Sequence, residues 1–306
     1  MNEIKLFCPA TIANLSCGFD VLGLCLETVG DEMIIRKVTD KGVRITKIYG
    51  ATLPLKTEEN VAGVAALAML NEISTDFGFE IIIYKNIKAG SGIGSSAASA
   101  AGAVFGINEL LGKPFSRKEL IRFAMMGEVI ASGSEHADNV TPALLGGFTL
   151  VRSYSPLDVI RIESPSELFA TVIHPQIELK TSEMRAVLTP MIALESAIKQ
   201  WGNVGGLIAG LYSNDYDLIG RSLHDEIVEP LRAKFIPYFD EIKTESMNSG
   251  ALGVGISGSG PSIFALSKGI ETANKVKTAM NSIFRKTNIP YEIHVSTINS
   301  EGIKIL

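Results

Sequence analysis

The sequence contains few cysteines, and they form no pattern typical of a disulfide framework or a metal site. Cys8, Cys17 and Cys25 are odd in number and include no CxxC pair. This predicts a reduced, cytoplasmic protein without a structural metal. We expect Cys8 and Cys25 to be small hydrophobic residues of strands.

Long charged runs and long apolar runs are also missing. The formal net charge is −5, and no dense run of lysine and arginine occurs, which argues against a nucleic-acid partner. The apolar runs are too short or too rich in glycine to span a bilayer. Residues 1–6 lack the apolar core of a signal peptide. We therefore expect no membrane partner.

What the sequence does contain is typical of a globular α+β protein. The chain has 306 residues, of which 46% are hydrophobic and 20% charged, enough for a large core and for two lobes. Strands and helices are interleaved without a steady βαβ alternation, which favours the α+β class. A short polar segment with a proline, at 153–157, gives a predicted boundary between domains 1–155 and 156–306.

Hydrophobic periodicity and turn residues predict the elements. Strands are expected at 3–8, 21–26, 33–37, 43–48, 79–84, 148–151, 159–162, 169–173, 252–257, 262–267 and 291–297. Helices are expected at 60–73, 100–111, 116–131, 182–188, 190–212, 215–232 and 271–285. Residues 9–20 show no period and predict a loop or a short helical turn. Ser116 and Glu119 form a capping box at the start of the third of these helices.

One stretch at 89–99 combines a glycine-rich turn with the start of a helix. It follows an apolar strand and consists of Ala89, Gly90, Ser91, Gly92, Ile93, Gly94, Ser95, Ser96, Ala97, Ala98 and Ser99. Glycines permit close backbone approach, and free N–H groups at a helix start attract anions, so this stretch predicts a site for a nucleotide triphosphate. It is not a Walker loop, since no lysine follows its last glycine, and its spacing differs from the dinucleotide fingerprint. A serine hydroxyl at a helix start can both cap the helix and ligate Mg²⁺, and the alternative is that Ser95 and Ser96 merely cap.

Three motifs resemble the GHMP kinases, a family that includes galactokinase, homoserine kinase and mevalonate kinase. They are PATIANL with GFD at 9–15 and 18–20, GIGSSAA at 92–98, and GVGISGSGPS at 253–262. Ser16 and Lys88 depart from the family pattern, but both lie at motif edges. The resemblance implies a two-lobed fold with a nucleotide-binding α/β lobe, a ferredoxin-like C-terminal α/β sandwich, and the active site in the cleft. It also implies ATP as co-substrate and a homodimer.

Further residues resemble the homoserine kinase branch of that family. They are the run HADNVTPA at 136–143, Asn14 with Asp20, Thr181 with Arg185, and EPLR at 229–232. Homoserine is a zwitterion with a hydroxyl group, so its ammonium requires oxygen acceptors and its carboxylate suits guanidinium.

The resemblance assigns these residues to the two ends of the substrate. Asp20 and Asn14 would hold the ammonium, and Arg185 and Arg232 the carboxylate. The remaining predicted substrate contacts are His136, Asn139 and Thr181. Asn60 and Lys85 are predicted adenine contacts.

The resemblance also implies the catalytic residues. Ser96 and Glu128 would be the protein ligands of Mg²⁺, since Mg²⁺ usually takes one or two protein ligands besides phosphate and water. Either Asp138 acts as the base, or Asn139 orients the hydroxyl and the reaction has no side-chain base. We favour the second, because a loose transition state depends more on positioning than on a strong base.

The predicted activity is therefore phosphorylation of L-homoserine by ATP, on the route to threonine. Two alternatives remain. Another GHMP kinase acting on a mevalonate-type alcohol would leave the paired recognition by Asp20 and two arginines poorly explained. A non-catalytic ligand sensor on the same fold would have no need of Ser96 and Glu128 as metal ligands.

Overall fold

Two β-sheets organise the described residues, 1–133 and 135–306, of this computed structural model. The first sheet contains β1 (Glu3–Ala13), β2 (Leu22–Val38), β3 (Gly42–Tyr49), β4 (Gly78–Tyr84), β5 (Phe148–Tyr154), β6 (Leu157–Ile162) and, near the C-terminus, β11 (Lys304–Ile305). The second contains β7 (Leu168–Pro175), β8 (Gly253–Ile256), β9 (Ile263–Lys268) and β10 (Tyr291–Thr297).

The helices fall between these strands. They are α1 (Val61–Leu70), α2 (Ser95–Leu110), α3 (Arg117–Ser132), α4 (Val140–Leu145), α5 (Thr181–Ala186), α6 (Leu194–Ser213), α7 (Tyr216–Ser222), α8 (Glu229–Arg232), α9 (Phe239–Asn248) and α10 (Ile270–Phe284). Short 3-10 turns occupy Thr57–Glu59 and Ala233–Phe235. In the described ranges, no helix combines the length and apolar character needed to cross a membrane.

The strand order confirms the predicted two-lobed α+β class. The first sheet runs β11-β1-β2-β4-β3, with β5 pairing to β2 and β6 to β5. The second runs β10-β7-β9-β8, all antiparallel, with α9 and α10 packed on it. In chain order this is 4-1-3-2, the arrangement of a ferredoxin-like sheet. The boundary at 155/156 stays a prediction; the strands on either side of it, β5 and β6, pair with each other.

The prediction of a loop at 9–20 was wrong over its first half. The strand β1 continues to Ala13 through a register shift between Pro9 and Thr11. Two separate strands predicted at 21–26 and 33–37 form the single strand β2, since its first part pairs with β5 and its second part with β4. The Thr11 amide donates to the Ile93 carbonyl (3.1 Å). The longer strand β1 therefore reaches the predicted phosphate loop.

The helix α2 lies in the core of the first lobe, and its small residues allow that position. A Cβ at Gly102 would lie 2.5 Å from Cys8 Sγ, and one at Gly106 would lie 2.6 Å from Ile35 Cδ1. Helix and sheet therefore approach more closely than larger side chains would permit. Cys8 and Cys25 are fully buried strand residues, as predicted.

The helical region after residue 188 is more broken than predicted. Pro190 lies outside α6, which begins at Leu194, so the prediction of a helix from Pro190 was wrong. The prediction of a single helix over 215–232 was also wrong, because two helices, α7 and α8, lie there. There, the Asp225 carboxylate accepts from the backbone N–H groups of Ile227, Val228 and Glu229 at 2.9–3.0 Å. A side chain thus takes the role of helical carbonyls and separates α7 from α8.

Candidate active site

One cavity of about 460 Å³ is lined by segments from both halves of the chain. The predicted site residues that line it are Asn14, Asp20, Lys85, Ala89, Gly90, Ser91, Gly92, Gly94, Ser95, Ser96, Ser99, Glu128, His136, Asp138, Asn139, Thr181, Arg185 and Arg232. Asn60, Ile93, Ala97 and Ala98 do not line it. Ile93, Ala97 and Ala98 have buried side chains, so any contact they make with a nucleotide would use their backbone.

The glycine-rich stretch forms a tight loop that ends at the start of α2. Gly90, Gly92 and Gly94 have φ of +73°, +81° and +72°, a region that favours glycine. Gly94 is the N-cap residue and has no side chain with which to cap the helix. The alternative that Ser95 and Ser96 merely cap α2 does not hold, because the Ser95 hydroxyl donates to the Ile87 carbonyl and that of Ser96 to Glu128. The N–H groups of this first helical turn therefore suit an anion.

The C-terminal glycine-rich turn holds this loop from the second lobe. The Ser257 hydroxyl donates to the Gly92 carbonyl (2.7 Å), and the Ser262 hydroxyl donates to the Ser91 carbonyl (2.6 Å). A Cβ on Gly92 would lie 2.6 Å from the Gly260 carbonyl oxygen, so the two turns touch through their backbones. The sequence motifs at 92–98 and 253–262 thus meet in space.

Lys85 lies beneath the loop and supports it. Its ammonium pairs with the Asp31 carboxylate and donates to the Ser95 carbonyl (2.9 Å) and the Ser99 hydroxyl (3.2 Å). Both side chains of this ion pair are almost fully buried. The predicted adenine contact of Lys85 is not supported, because its donors are directed at the loop.

Asn60 has a comparable structural role. Its side-chain oxygen accepts from the Ala62 N–H (3.0 Å) and caps α1, while its amide donates to the Pro54 carbonyl (2.7 Å). The adenine contact predicted for Asn60 is not supported either, because the side chain is buried against its own segment. Sequence reasoning missed the apolar residues that line the cavity close to Asn60 in the chain, Leu53 and Val61.

Ser96 and Glu128 meet at the start of α2, as their predicted shared role requires. The Ser96 hydroxyl donates to Glu128 Oε2 at 3.0 Å. Glu128 projects from α3 and is 5% exposed. Burial raises its pKa to about 7, although the hydrogen bond from Ser96 acts in the opposite direction.

Asp138 and Asn139 have different surroundings. Asp138 is buried, and its Oδ1 atom has no hydrogen-bond partner among the residues that the structure describes. Burial, with the charges of Asp20 and Glu128, raises the pKa of Asp138 to about 7. Asn139 Oδ1 accepts from the Thr11 hydroxyl (2.7 Å), which fixes the orientation of the amide. Sequence reasoning did not single out Thr11, although it belongs to the PATIANL motif.

Asp20 and Arg185, predicted to hold opposite ends of the substrate, contact each other. Arg185 Nη2 lies 2.8 Å from both carboxylate oxygens of Asp20. His136 Nε2 lies 3.4 Å from the same guanidinium nitrogen. Their predicted substrate contacts stay predictions, and a zwitterion bound by both would have to compete with this ion pair.

Arg232 and Asn14 share one anchor, the Gly258 carbonyl. Arg232 Nη1 donates to it at 3.1 Å and Asn14 Nδ2 at 2.8 Å. Burial, together with the charge of Arg185, lowers the pKa of Arg232 to about 10. The guanidinium is therefore a largely desolvated cation, which suits an anionic group in the cavity.

Phe19 is a further residue that sequence reasoning missed. Its ring lies 5.3 Å from the Arg185 guanidinium carbon and 5.2 Å from that of Arg232. It therefore holds both arginines by cation–π contact and lines the cavity with them. Thr181 lies at the same wall, with its hydroxyl 3.3 Å from that of Ser259.

Comparison with known proteins agrees with this geometry. The model of the GHMP kinases N terminal domain matches residues 60–147, and that of the GHMP kinases C terminal matches residues 207–286. A homoserine kinase from Chlorobium phaeobacteroides is 48% identical over the whole of both chains. One from Methanococcus vannielii is 42% identical over 88% of this chain and 89% of its own.

A solved structure of homoserine kinase from Cytophaga hutchinsonii has a TM-score of 0.97 at 51% identity, covering 100% of this chain and 98% of the other. A mevalonate kinase has a TM-score of 0.71 at 14% identity, covering 98% and 100%, which shows a shared fold alone. This chain belongs to the GHMP kinases and, within them, to the homoserine kinase family.

Proposed function

We propose that this ATP-dependent kinase transfers the γ-phosphoryl group of ATP to the hydroxyl of L-homoserine, giving ADP and O-phospho-L-homoserine on the route to threonine. The observation that carries the proposal is one cavity that joins the start of α2 to a cluster of Asp20, Arg185 and Arg232. An anion site and recognition groups for a zwitterion thus share one space.

The nucleotide is held mainly by backbone. The loop 89–94 and the first turn of α2 offer N–H groups to the triphosphate, and Lys85 with Asp31 keeps the loop in place. Apolar side chains of Leu53, Val61 and Ile130 line the same cavity and suit the adenine ring.

Mg²⁺ fits the Ser96–Glu128 pair. A hydroxyl oxygen and a carboxylate oxygen are both ligands that Mg²⁺ accepts, and here they lie 3.0 Å apart at the loop that would carry the phosphates. Burial that raises the pKa of Glu128 to about 7 is also consistent with a carboxylate placed to face a cation. When bound, Mg²⁺ would neutralise charge on the phosphate oxygens.

The homoserine carboxylate would bind Arg185 and Arg232. The Arg232 guanidinium is desolvated and held by Phe19 and the Gly258 carbonyl. Its ammonium would bind Asp20, with the Asn14 side chain supporting the Asp20 backbone N–H (3.0 Å). His136 and Thr181 complete the wall around this end.

Asn139 would orient the substrate hydroxyl, and no side-chain base would act. Its oxygen is held by Thr11, so the amide is positioned before substrate binds. Asp138 is more buried than Asn139 and its carboxyl pKa of about 7 reflects that burial. The transferred proton would leave with phosphate or water.

The test is ADP release with homoserine, mevalonate and galactose as acceptors. We expect turnover with homoserine and little with the other two. Turnover with another alcohol, and none with homoserine, would overturn the substrate. Binding of homoserine and ATP without ADP release would instead favour a ligand sensor.

A cytoplasmic location and a homodimer are also part of this proposal. The cytoplasmic location is measured by cell fractionation of the native protein. Sedimentation equilibrium tests the homodimer that the family resemblance implies, and a mass of twice 32.8 kDa is the expected result.

A further inference from the structure

Tyr154, at the end of β5, joins two segments of the active site through its hydroxyl. The hydroxyl donates to the Asp20 carbonyl at 2.8 Å and accepts from the Ala137 N–H at 3.4 Å. Asp20 lies 134 residues from Tyr154 in the chain, and Ala137 lies 17 residues from it. Tyr154 does not itself line the cavity, so any effect it has on a bound substrate passes through these two partners.

The backbone of Asp20 has a conformation that its neighbours must maintain. Its φ is +60°, in the left-handed region that residues other than glycine seldom adopt, and such a conformation persists where several contacts hold it. The Asp20 N–H donates to Asn14 Oδ1 (3.0 Å), and the carboxylate pairs with Arg185 at 2.8 Å. The Tyr154 hydroxyl holds the remaining polar group, the carbonyl. Loss of this hydroxyl would therefore let the Asp20 peptide turn and displace the carboxylate.

Ala137 connects Tyr154 to the segment that faces the other end of the substrate. His136 precedes Ala137, and Asn139, which would orient the acceptor hydroxyl, follows two residues later. Ala137 is fully buried, and its carbonyl accepts from the Thr141 N–H in α4 (2.8 Å). Both backbone polar groups of Ala137 are thus engaged, which fixes the backbone that carries His136 and Asn139.

The Tyr154 hydroxyl keeps its proton at the pH of a kinase assay. Burial, with the charge of Asp138, raises the pKa of the Tyr154 hydroxyl above its ordinary value of 10. The group therefore remains neutral and remains a donor to the Asp20 carbonyl. It positions the cluster of Asp20, Arg185 and Arg232 without adding a charge to it.

We propose that Tyr154 is a positioning residue that sets the distance between the ammonium site at Asp20 and the hydroxyl site at Asn139. This inference rests on the proposed function, in which those two residues bind the ammonium and the hydroxyl of homoserine. An acceptor held at both points must have a matching length. L-Serine is one methylene shorter than L-homoserine, so it cannot reach both points at the same separation. Tyr154 thereby favours homoserine over serine without touching either.

Steady-state kinetics of Tyr154→Phe, with L-homoserine and L-serine as acceptors, tests the proposal. Phenylalanine keeps the ring and removes only the hydroxyl. Tyr291→Phe is the matched control, because the Tyr291 hydroxyl on β10 also donates a hydrogen bond, to Asn281 Oδ1 (2.7 Å), and Tyr291 does not line the cavity. Circular dichroism and thermal unfolding of both variants verify that they are folded.

We expect Tyr154→Phe to lower kcat/KM for homoserine roughly tenfold, mainly through a higher KM, because the two binding points lose their fixed separation. The KM for ATP should stay near the parent value, since Tyr154 contacts neither the phosphate loop nor α2. The ratio of kcat/KM for homoserine to that for serine should fall at least about threefold. A partly unfolded variant would lower the activity with both acceptors equally, so this ratio separates positioning from instability. Tyr291→Phe should leave the KM values and the ratio unchanged.

Three results would overturn the role of Tyr154 while the kinase activity of the parent chain stands. They are an unchanged KM for homoserine in Tyr154→Phe, equal rises in the KM for homoserine and for ATP, and a homoserine-to-serine ratio equal to that of the parent. A parent chain that releases no ADP with homoserine would overturn the proposed function itself, and this role with it.

Discussion

Substituting Asp138 by asparagine separates the two accounts of how the acceptor hydroxyl is activated. The carboxyl is 4% exposed, and burial raises its pKa from an ordinary 3.8 to about 7. Asparagine has nearly the same volume and cannot ionise. The variant therefore removes a charge and a potential base while leaving the packing against Gly23 of β2 in place.

The raised pKa of Asp138 makes the folded state less stable as pH rises. Between pH 4 and pH 7 the unfolded chain has lost this proton while the folded chain still holds it, so stability falls as pH rises. From pH 5 to pH 7 this one group should cost the parent chain about 2 kcal/mol of unfolding free energy. Asp138→Asn should therefore gain about 2 kcal/mol relative to the parent over that interval.

Urea unfolding at the two pH values, followed by circular dichroism and fluorescence together, measures this gain. If the difference in unfolding free energy between variant and parent is the same at pH 5 and pH 7, the inferred pKa of Asp138 is wrong. The kinetic part is independent of that result.

At pH 8 with saturating substrates, we expect Asp138→Asn to keep kcat within roughly tenfold of the parent, since a lost general base would cost about 10²–10⁴-fold. Asn139→Ala should lose more, because it removes the group that orients the hydroxyl. A loss above a hundredfold in correctly folded Asp138→Asn would refute the mechanism without a side-chain base.

Three further substitutions test the supports of the site. Glu128→Gln should raise the Mg²⁺ concentration needed for half-maximal activity at least roughly tenfold, as it removes a charged ligand; an unchanged Mg²⁺ titration would contradict the assignment. Lys85→Met should lower the free energy of unfolding by about 3–5 kcal/mol because Asp31 stays buried without its partner, and adding Asp31→Asn should restore part of it; thermal or urea unfolding measures both. Gln200→Leu should raise the KM for homoserine while leaving the KM for ATP near the parent value, and equal changes in both would contradict it.

The expectation for Gln200 comes from its contacts. Its amide donates to the Cys17 carbonyl (2.8 Å) and to the Asp225 carboxylate (3.0 Å), and its oxygen accepts from the Glu226 N–H (2.8 Å). One buried side chain thus ties the segment before Phe19 to the segment before Arg232. The side of the cavity that would bind homoserine, here called the acceptor wall, consists of Phe19, Asp20, Arg185 and Arg232. Both segments lead into it, and neither belongs to the phosphate loop.

The loop and helix start on which the predicted phosphate site depends could be predicted from the sequence because their residues are contiguous. Gly90, Gly92, Gly94 and the Ser95–Ser96 pair at the start of a helix all fall within 89–99, and local backbone conformation is enough to expose N–H groups that suit an anion. The roles of Lys85 and Asn60 could not be predicted in the same way. Lys85 is held by Asp31, 54 residues earlier in the chain, and nothing in the local pattern at either residue indicates that pairing.

The difference between local and tertiary contacts also explains the errors in the predicted secondary structure. β1 continues to Ala13 because Thr11 pairs with Cys25 of β2 and binds the Ile93 carbonyl, both of them tertiary contacts. The predicted helix at 215–232 fails because Asp225 bonds to its own following N–H groups. In both cases a non-periodic or polar stretch takes its structure from partners that hydrophobic periodicity does not report.

The acceptor wall is the part of the site that local sequence patterns predict least well, because its residues are far apart in the chain. Its electrostatics depend on how these residues meet. Asp20 and Arg185 are 165 residues apart and meet at 2.8 Å, while Arg232 is buried beside them with its positive charge opposed by that of Arg185. The Asp20 carboxylate therefore offsets the repulsion between two guanidinium groups that share the ring of Phe19. A zwitterion can replace this arrangement without leaving a charge unpaired, since its carboxylate joins the arginines as its ammonium joins Asp20. An uncharged alcohol brings neither partner, so the wall favours an amino-acid acceptor on charge balance alone.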